Sequence, residues 1–206
     1  MGCASSRFSP IEDAFFAKSL KTGFEAVSTD EAVGTIRRYA LDISGKVNPS
    51  QLSLIKSALH LDQVTAGLSP FYASVTETDR LVVAAVLLSK GNAPSKAAAL
   101  FEVQDRSVAG KLINSEVTDL LTLVFSVVLD CLPLLVASPT EEENAYIGKS
   151  REDQANGVRL LKAVLLGVDA DMVDRETFVN HWAQYDSGKL LEPAGLRHFI
   201  VEPKKA

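Results

Sequence analysis

Residues 105–116 carry oxygen-bearing side chains at a spacing that can hold a hard cation. The twelve residues read Asp-Arg-Ser-Val-Ala-Gly-Lys-Leu-Ile-Asn-Ser-Glu. They place a carboxylate at position 1 (Asp105), a hydroxyl at position 3 (Ser107) and a second carboxylate at position 12 (Glu116). Ca²⁺ takes about six to eight oxygen ligands, and a loop of this kind adds the backbone carbonyl of position 7, here Lys111. The spacing therefore predicts a calcium loop between two helices.

Two ligand positions of this loop carry no side-chain oxygen. Ala109 stands at position 5, and Ile113 at position 9 cannot hold the water that usually completes the ligand shell. We therefore expect weak calcium binding or none. Gly110 at position 6 permits the sharp turn with positive φ, and Leu112 at position 8 can form a short β-bridge to a partner loop. We expect the fold of the loop to persist without the ion.

Three further segments repeat parts of this twelve-residue frame. Residues 40–51 keep the turn glycine and the apolar position 8, but Ala40 and Gln51 replace both end carboxylates. Residues 166–177 keep the apolar residue at position 8. They have no side-chain oxygen at positions 1 and 5 and no glycine at position 6, so we expect them to be metal-free. Around residues 75–81 only an exit helix is recognisable. The chain is thus predicted to contain four helix–loop–helix units.

The order of these segments resembles the four-EF-hand calcium sensors of the recoverin and calcineurin-B type. In that superfamily an exit helix ending in Leu-Ser-x-Gly precedes Lys, Phe and Asp of the third hand. The chain has these motifs at residues 88–91, Lys96, Phe101 and Asp105. The resemblance covers roughly residues 30–182. It implies an all-α fold of two EF-hand-like lobes, made of four degenerate units, with an N-terminal acylated helix.

A second resemblance is to the degenerate EF-hand region that precedes the TLDc domain in a family of acylated proteins. It rests on Leu-Leu-Ser-Lys-Gly-Asn at residues 87–92 and on Phe178, Trp182, Pro193 and Leu196. We expect no TLDc domain in these 206 residues. The activity of that domain is therefore not expected of this chain.

The first six residues, Met-Gly-Cys-Ala-Ser-Ser, match the pattern for N-myristoylation at Gly2. Cys3 is a ready site for a palmitoyl group. One myristoyl chain gives marginal, reversible membrane binding, whereas two acyl chains hold a protein stably. The sequence therefore predicts myristoyl and palmitoyl groups and a position on the cytoplasmic face of a plasma, flagellar or endomembrane.

Residues 120–137 form an apolar run that is about long enough to enter a bilayer. Asp130 lies inside the run and Pro133 breaks it near its end, and both are unfavourable in lipid. We predict a helix that is buried in protein, with Phe125, Leu129 and Leu132 facing the core or a partner helix.

The predicted organisation is a flexible acylated anchor (1–10), an N-terminal EF-hand-like lobe (11–92) and a C-terminal lobe (93–206). The polar, acidic residues 138–157 are interpreted as a linker inserted in the second lobe. Residues 11–26 are predicted to be one helix.

Composition and the absence of known motifs argue against several classes of function. The net charge is -5, and no basic stripe with interleaved aromatic residues is present, so we expect no nucleic-acid partner. The two cysteines, Cys3 and Cys131, indicate no disulfide framework and favour a reducing compartment. No nucleophile elbow, phosphate-binding glycine loop or zinc-spaced Cys/His pair occurs, so we expect no enzyme.

The hypothesis that best fits these patterns is a membrane-anchored, largely calcium-independent EF-hand-like adaptor that binds an amphipathic partner helix in an apolar groove. One alternative is a structural subunit of a ciliary or membrane-associated assembly. A weaker alternative is a calcium sensor with one weak site.

Overall fold

A computed structural model of the chain describes residues 10–17, 21–40, 45–61, 67–136, 138–167 and 170–201. These residues are mostly helical, and the predicted all-α class is confirmed. The helices are α1 (Pro10–Ala17), α2 (Thr29–Tyr39), α3 (Pro49–Ala58), α4 (Ser69–Ser74), α5 (Thr78–Leu88), α6 (Ala93–Gln104), α7 (Asn114–Ser126), α8 (Glu141–Glu152), α9 (Gln154–Leu166), α10 (Arg175–Gln184) and α11 (Pro193–Val201). The strands are β1 (Lys111–Ile113) and β2 (Met172–Asp174). The predicted lipidation residues Gly2 and Cys3 lie outside the described residues.

The two strands form a small antiparallel sheet. Leu112 pairs with Val173 at its centre, and both side chains are buried. Each of these residues occupies position 8 of its predicted loop. The predicted β-bridge from Leu112 to a partner loop is therefore confirmed.

One cluster of buried apolar side chains extends from Phe24 to Ile200. The rings of Phe101 and Trp182 both contact Phe178 edge to face, each with 5.3 Å between ring centroids. These rings join α6 to α10. The cluster includes residues on both sides of the predicted lobe boundary at residues 92 and 93, so the two halves share a core.

The Leu-Ser-Lys-Gly motif at residues 88–91 connects the end of α5 to the start of α2. The backbone N–H of Thr29 donates to the carbonyl of Lys90 (2.7 Å), and the hydroxyls of Thr29 and Ser89 are 2.9 Å apart. A Cβ on Gly91 would lie 2.3 Å from Oγ1 of Thr29, so only glycine fits without displacement. The buried ammonium of Lys96 donates to the carbonyl of Leu87 at the end of α5 (3.2 Å). These bonds hold the ends of α2, α5 and α6 together around the motif.

The interpretation of residues 138–157 as an inserted linker is wrong for most of that segment, because Glu141–Glu152 form α8 and α9 begins at Gln154. The helix begins with a capping box. The backbone N–H of Thr140 donates to Oε2 of Glu143 (2.6 Å), and the N–H of Glu143 donates to Oγ1 of Thr140 (3.2 Å). Such reciprocal bonds satisfy two of the free N–H groups at a helix start.

The predicted helix over residues 11–26 is also too long. The described helix α1 ends at Ala17, and Gly23 has a φ of 89° that interrupts helical winding before the 3-10 turn Phe24–Ala26. Phe24 belongs to the main core, whereas Phe15 of α1 packs in a separate small cluster.

The helical stretch Asn114–Leu135 is long and apolar enough to cross a membrane by length and composition alone, with a mean hydropathy of 1.9 in an 18-residue window. More than half of that window, 56%, is buried inside the protein. Phe125, Leu129 and Leu132 lie in the core, as predicted.

The same stretch changes its winding near Pro133, from α7 to a π turn (Val127–Cys131) and then a 3-10 turn (Leu132–Leu135). Proline has no N–H to donate to the preceding helical turn. Nη2 of Arg151 donates instead to the carbonyl of Leu129 (2.8 Å), and Nε of Arg151 donates to Asp130 (3.0 Å). The Asp130 side chain is 53% exposed, so it lies at the protein surface beside a cation.

Candidate functional site

The predicted calcium loop follows α6 and is closed by its own first residue. Oδ1 of Asp105 accepts a hydrogen bond from the N–H of Ala109 (2.8 Å), and Oδ2 accepts one from the N–H of Gly110 (2.9 Å). Gly110 has a φ of 72°, the left-handed conformation expected of the turn glycine. The carboxylate at position 1 thus holds the turn by bonds to the loop backbone.

The carboxylate at position 12 also has a structural partner. Oε2 of Glu116 accepts a hydrogen bond from the N–H of Ile113 (2.8 Å), one residue before α7. In the first loop, Oε1 of Gln51 accepts the equivalent bond from the N–H of Asn48 (2.8 Å) before α3. A neutral amide therefore performs the same capping function as the Glu116 carboxylate, so this function does not require a charge.

The remaining predicted ligands lie at the loop surface. Ser107 and the side chain of Lys111 are exposed. Within the described ranges, no group of three or more His, Cys, Asp or Glu side chains is placed to hold a metal ion. With no side-chain oxygen at Ala109 or Ile113, the donor set fits calcium poorly.

The four predicted loops contact one another in two pairs with the same hydrogen bond. The N–H of Arg175 donates to the carbonyl of Gly110 (3.1 Å), and the N–H of Thr78 donates to the carbonyl of Gly45 (2.9 Å). In the second pair, Lys46 and Glu77 form an isolated antiparallel bridge. This bridge takes the place that the β1–β2 sheet has in the first pair. Both turn glycines thus accept a hydrogen bond from the first turn of the partner loop's exit helix.

A cleft of about 560 Å³ lies beside the third loop and contains a network of ion pairs. Glu102 on α6 accepts hydrogen bonds from Arg37 on α2 (3.0 Å) and from Arg175 on α10 (3.1 Å). Arg106 of the loop pairs with Asp79 on α5. Partial burial acts to raise the pKa of Glu102, but the bonds from the two arginines outweigh it and lower the pKa. The network links both halves around the loop.

A second polar site is buried under α1. Glu12 and Arg197 are almost fully enclosed, and Nε and Nη2 of Arg197 donate to the two carboxylate oxygens of Glu12 at 2.7 and 2.8 Å. The guanidinium carbon also lies 5.0 Å from the ring centroid of Phe15. This ion pair attaches α1 to α11.

Sequence reasoning did not identify the Glu102 network or the pair of Glu12 with Arg197. The latter two residues are 185 positions apart, and α1 carries no local signal that would indicate its partner. By contrast, the loop positions at Asp105, Leu112 and Glu116 were identified because their spacing is local.

Neither a protein-family model nor a curated protein matches the chain.

Proposed function

We propose that the chain is a membrane-anchored, largely calcium-independent EF-hand-like adaptor that binds a partner helix. In this proposal its loops pair as EF-hands do, two by two, and the acyl groups at Gly2 and Cys3 hold it on the cytoplasmic face of a membrane. Its activity is binding rather than catalysis.

The pairing of Leu112 with Val173 carries the proposal. Two loops with apolar residues at position 8 meet at that position in an antiparallel bridge. The equivalent bonds to Gly110 and Gly45 supply independent support, because two unrelated loop pairs would not be expected to share them.

Calcium independence is supported by the use of the loop side chains. Asp105 and Glu116 accept hydrogen bonds from backbone N–H groups, and Gln51 replaces the carboxylate in the first loop. In the last loop, Oδ1 of Asp174 accepts the N–H of Thr177 (2.8 Å) to cap α10. Each of these loops thus has internal bonds that stabilise it in the absence of an ion.

Membrane anchoring is supported by the pattern at Gly2 and Cys3, since stable anchoring takes two acyl chains. The helix nearest to that segment, α1, is bound to α11 through the buried pair of Glu12 with Arg197.

Fractionation of eukaryotic cells that express the full chain tests the proposal. The wild-type chain is expected in the membrane fraction to the same extent with Ca²⁺ and with a chelator. Gly2→Ala should move it to the soluble fraction, Cys3→Ser should give an intermediate distribution, and Ala4→Ser serves as the matched control.

Two results would contradict the proposal. An unchanged membrane fraction for Gly2→Ala would remove the acyl anchor. Membrane retention that requires Ca²⁺ would favour the calcium-sensor alternative over a calcium-independent adaptor.

A further inference from the structure

We propose that the groove occupied by α1 is the docking site for the partner helix, and that α1 is its internal occupant. The groove lies between α8 and α11, which both contact α1, and Val136 forms part of its apolar wall. This inference rests on the adaptor function proposed above and names its binding surface and the chemistry of its partner.

The base of the groove carries a fixed positive charge. Arg197 is only 2% exposed, and Glu12 is the acid that pairs with it among the described residues. An enclosed guanidinium without a carboxylate is strongly unfavourable, whereas a two-point bond to a carboxylate is among the strongest hydrogen-bonded pairs. Any helix that replaces α1 must therefore bring a carboxylate to this depth.

The apolar part of the groove is separate from the main core. Phe15 packs with Val136 and Ile147, and the partly buried Tyr146 borders this cluster. None of these side chains belongs to the main cluster that extends from Phe24 to Ile200. Removal of α1 therefore leaves the main core packed. It opens a site beside Arg197 that is large enough for one aromatic side chain.

Helix α1 itself is suited to leave. It is eight residues long, and isolated helices shorter than about 12–15 residues are marginal in water. Its contacts with the groove include the Glu12 ion pair and the buried Phe15 ring. Its helical structure therefore depends on the groove.

The geometry of α1 defines the partner. Glu12 and Phe15 are three residues apart and share one helix face. The structure assigns the groove to an amphipathic helix with a carboxylate three residues before an aromatic residue. While α1 is bound, the apparent affinity for such a helix is reduced by the fraction of molecules whose groove is open.

A labelled peptide of residues 10–21 is the probe, added to full-length, non-acylated chain that carries Gly2→Ala. Ala14 is exposed in the middle of α1, so Ala14→Pro disrupts α1 without altering the groove, and Ala14→Ser is the matched control. Fluorescence anisotropy should show at least about tenfold tighter binding to the proline variant. The same peptide with Glu12→Gln should bind at least about tenfold more weakly, because Arg197 would lack its carboxylate.

Hydrogen exchange of the Ala14→Ser chain supplies a second measurement that does not depend on folding of the proline variant. Saturating peptide should accelerate exchange at the amides of α1, and exchange at the amides of α7 should be unchanged. This pattern is expected only if the peptide displaces α1.

Three results would overturn the inference: equal binding to the two Ala14 variants, equal binding of the Gln peptide, or a dimer formed by exchange of α1 between copies. Membrane fractionation does not involve this groove. A failure here would therefore be distinguishable from a failure of the membrane anchor.

Discussion

Asp105 and Gly110 close the third loop on itself, with a hydrogen bond of 2.9 Å from the N–H of Gly110 to Oδ2 of Asp105. The other carboxylate oxygen accepts the N–H of Ala109. An entering ion would have to share this carboxylate with the donors of the loop itself. These two hydrogen bonds order the loop without an ion.

Leu112→Ala should destabilise the protein strongly. The Leu112 side chain is fully buried at the centre of the sheet, and truncation of a buried leucine costs about 2–5 kcal/mol. The neighbouring Ile113→Ala is the matched control, because Ile113 is 47% exposed and should lose much less. Chemical denaturation measures both free energies of unfolding, and similar losses would contradict the role of Leu112 in the loop pairing.

Gly91→Ala and Gly34→Ala should have opposite effects on stability. A Cβ on Gly91 would meet Oγ1 of Thr29 at 2.3 Å and displace a hydroxyl that bonds to Ser89. Overpacking of this kind costs about 1–3 kcal/mol. Gly34 is exposed inside α2 with open space around it, so alanine there should stabilise by about 0.5–1 kcal/mol. Thermal unfolding of the two variants tests this prediction. A Gly91→Ala protein as stable as wild type would contradict the close packing of Gly91 against Thr29.

The Glu102 network predicts a specific acid dependence of stability. The pKa of Glu102 is lowered in the folded protein from its ordinary value of 4.5, mainly because Arg37 and Arg175 outweigh the opposing effect of partial burial. The folded state therefore binds this proton less readily than the unfolded state. The corresponding stability is present above pH 4.5 and is lost as the pH falls through the lowered pKa.

Glu102→Gln should flatten this part of the pH profile. Denaturation between about pH 6 and pH 3 measures it, with Glu141→Gln on the exposed start of α8 as the control. Parallel profiles for wild type and Glu102→Gln would show that the network contributes nothing to acid stability.

The parts of the fold that were predicted are those with local signals. The loop frame identified Asp105, Gly110 and Leu112 because a fixed spacing specifies both a turn and a bridge. The linker interpretation of residues 138–157 is wrong because Thr140 and Glu143 form a Thr-x-x-Glu capping box, which starts a helix in spite of the acidic composition.

The parts that were missed depend on contacts distant in sequence. Glu12 and Arg197 meet because α1 packs against α11 and both helices contact α8. Likewise, Arg37 reaches Glu102 through packing of α2 against α6. No periodicity in one element specifies a partner in another.

Calorimetric titration of the full-length Gly2→Ala chain with Ca²⁺ tests most directly the claim that the loops do not depend on the ion. The account predicts a dissociation constant no tighter than about 1 mM, the weak end of such loops, because oxygen is missing at positions 5 and 9. Glu116→Gln should then change nothing, as should the control Asp119→Asn on exposed α7 surface. A micromolar dissociation constant that Glu116→Gln abolishes and Asp119→Asn preserves would contradict the account and make the third loop a working calcium site.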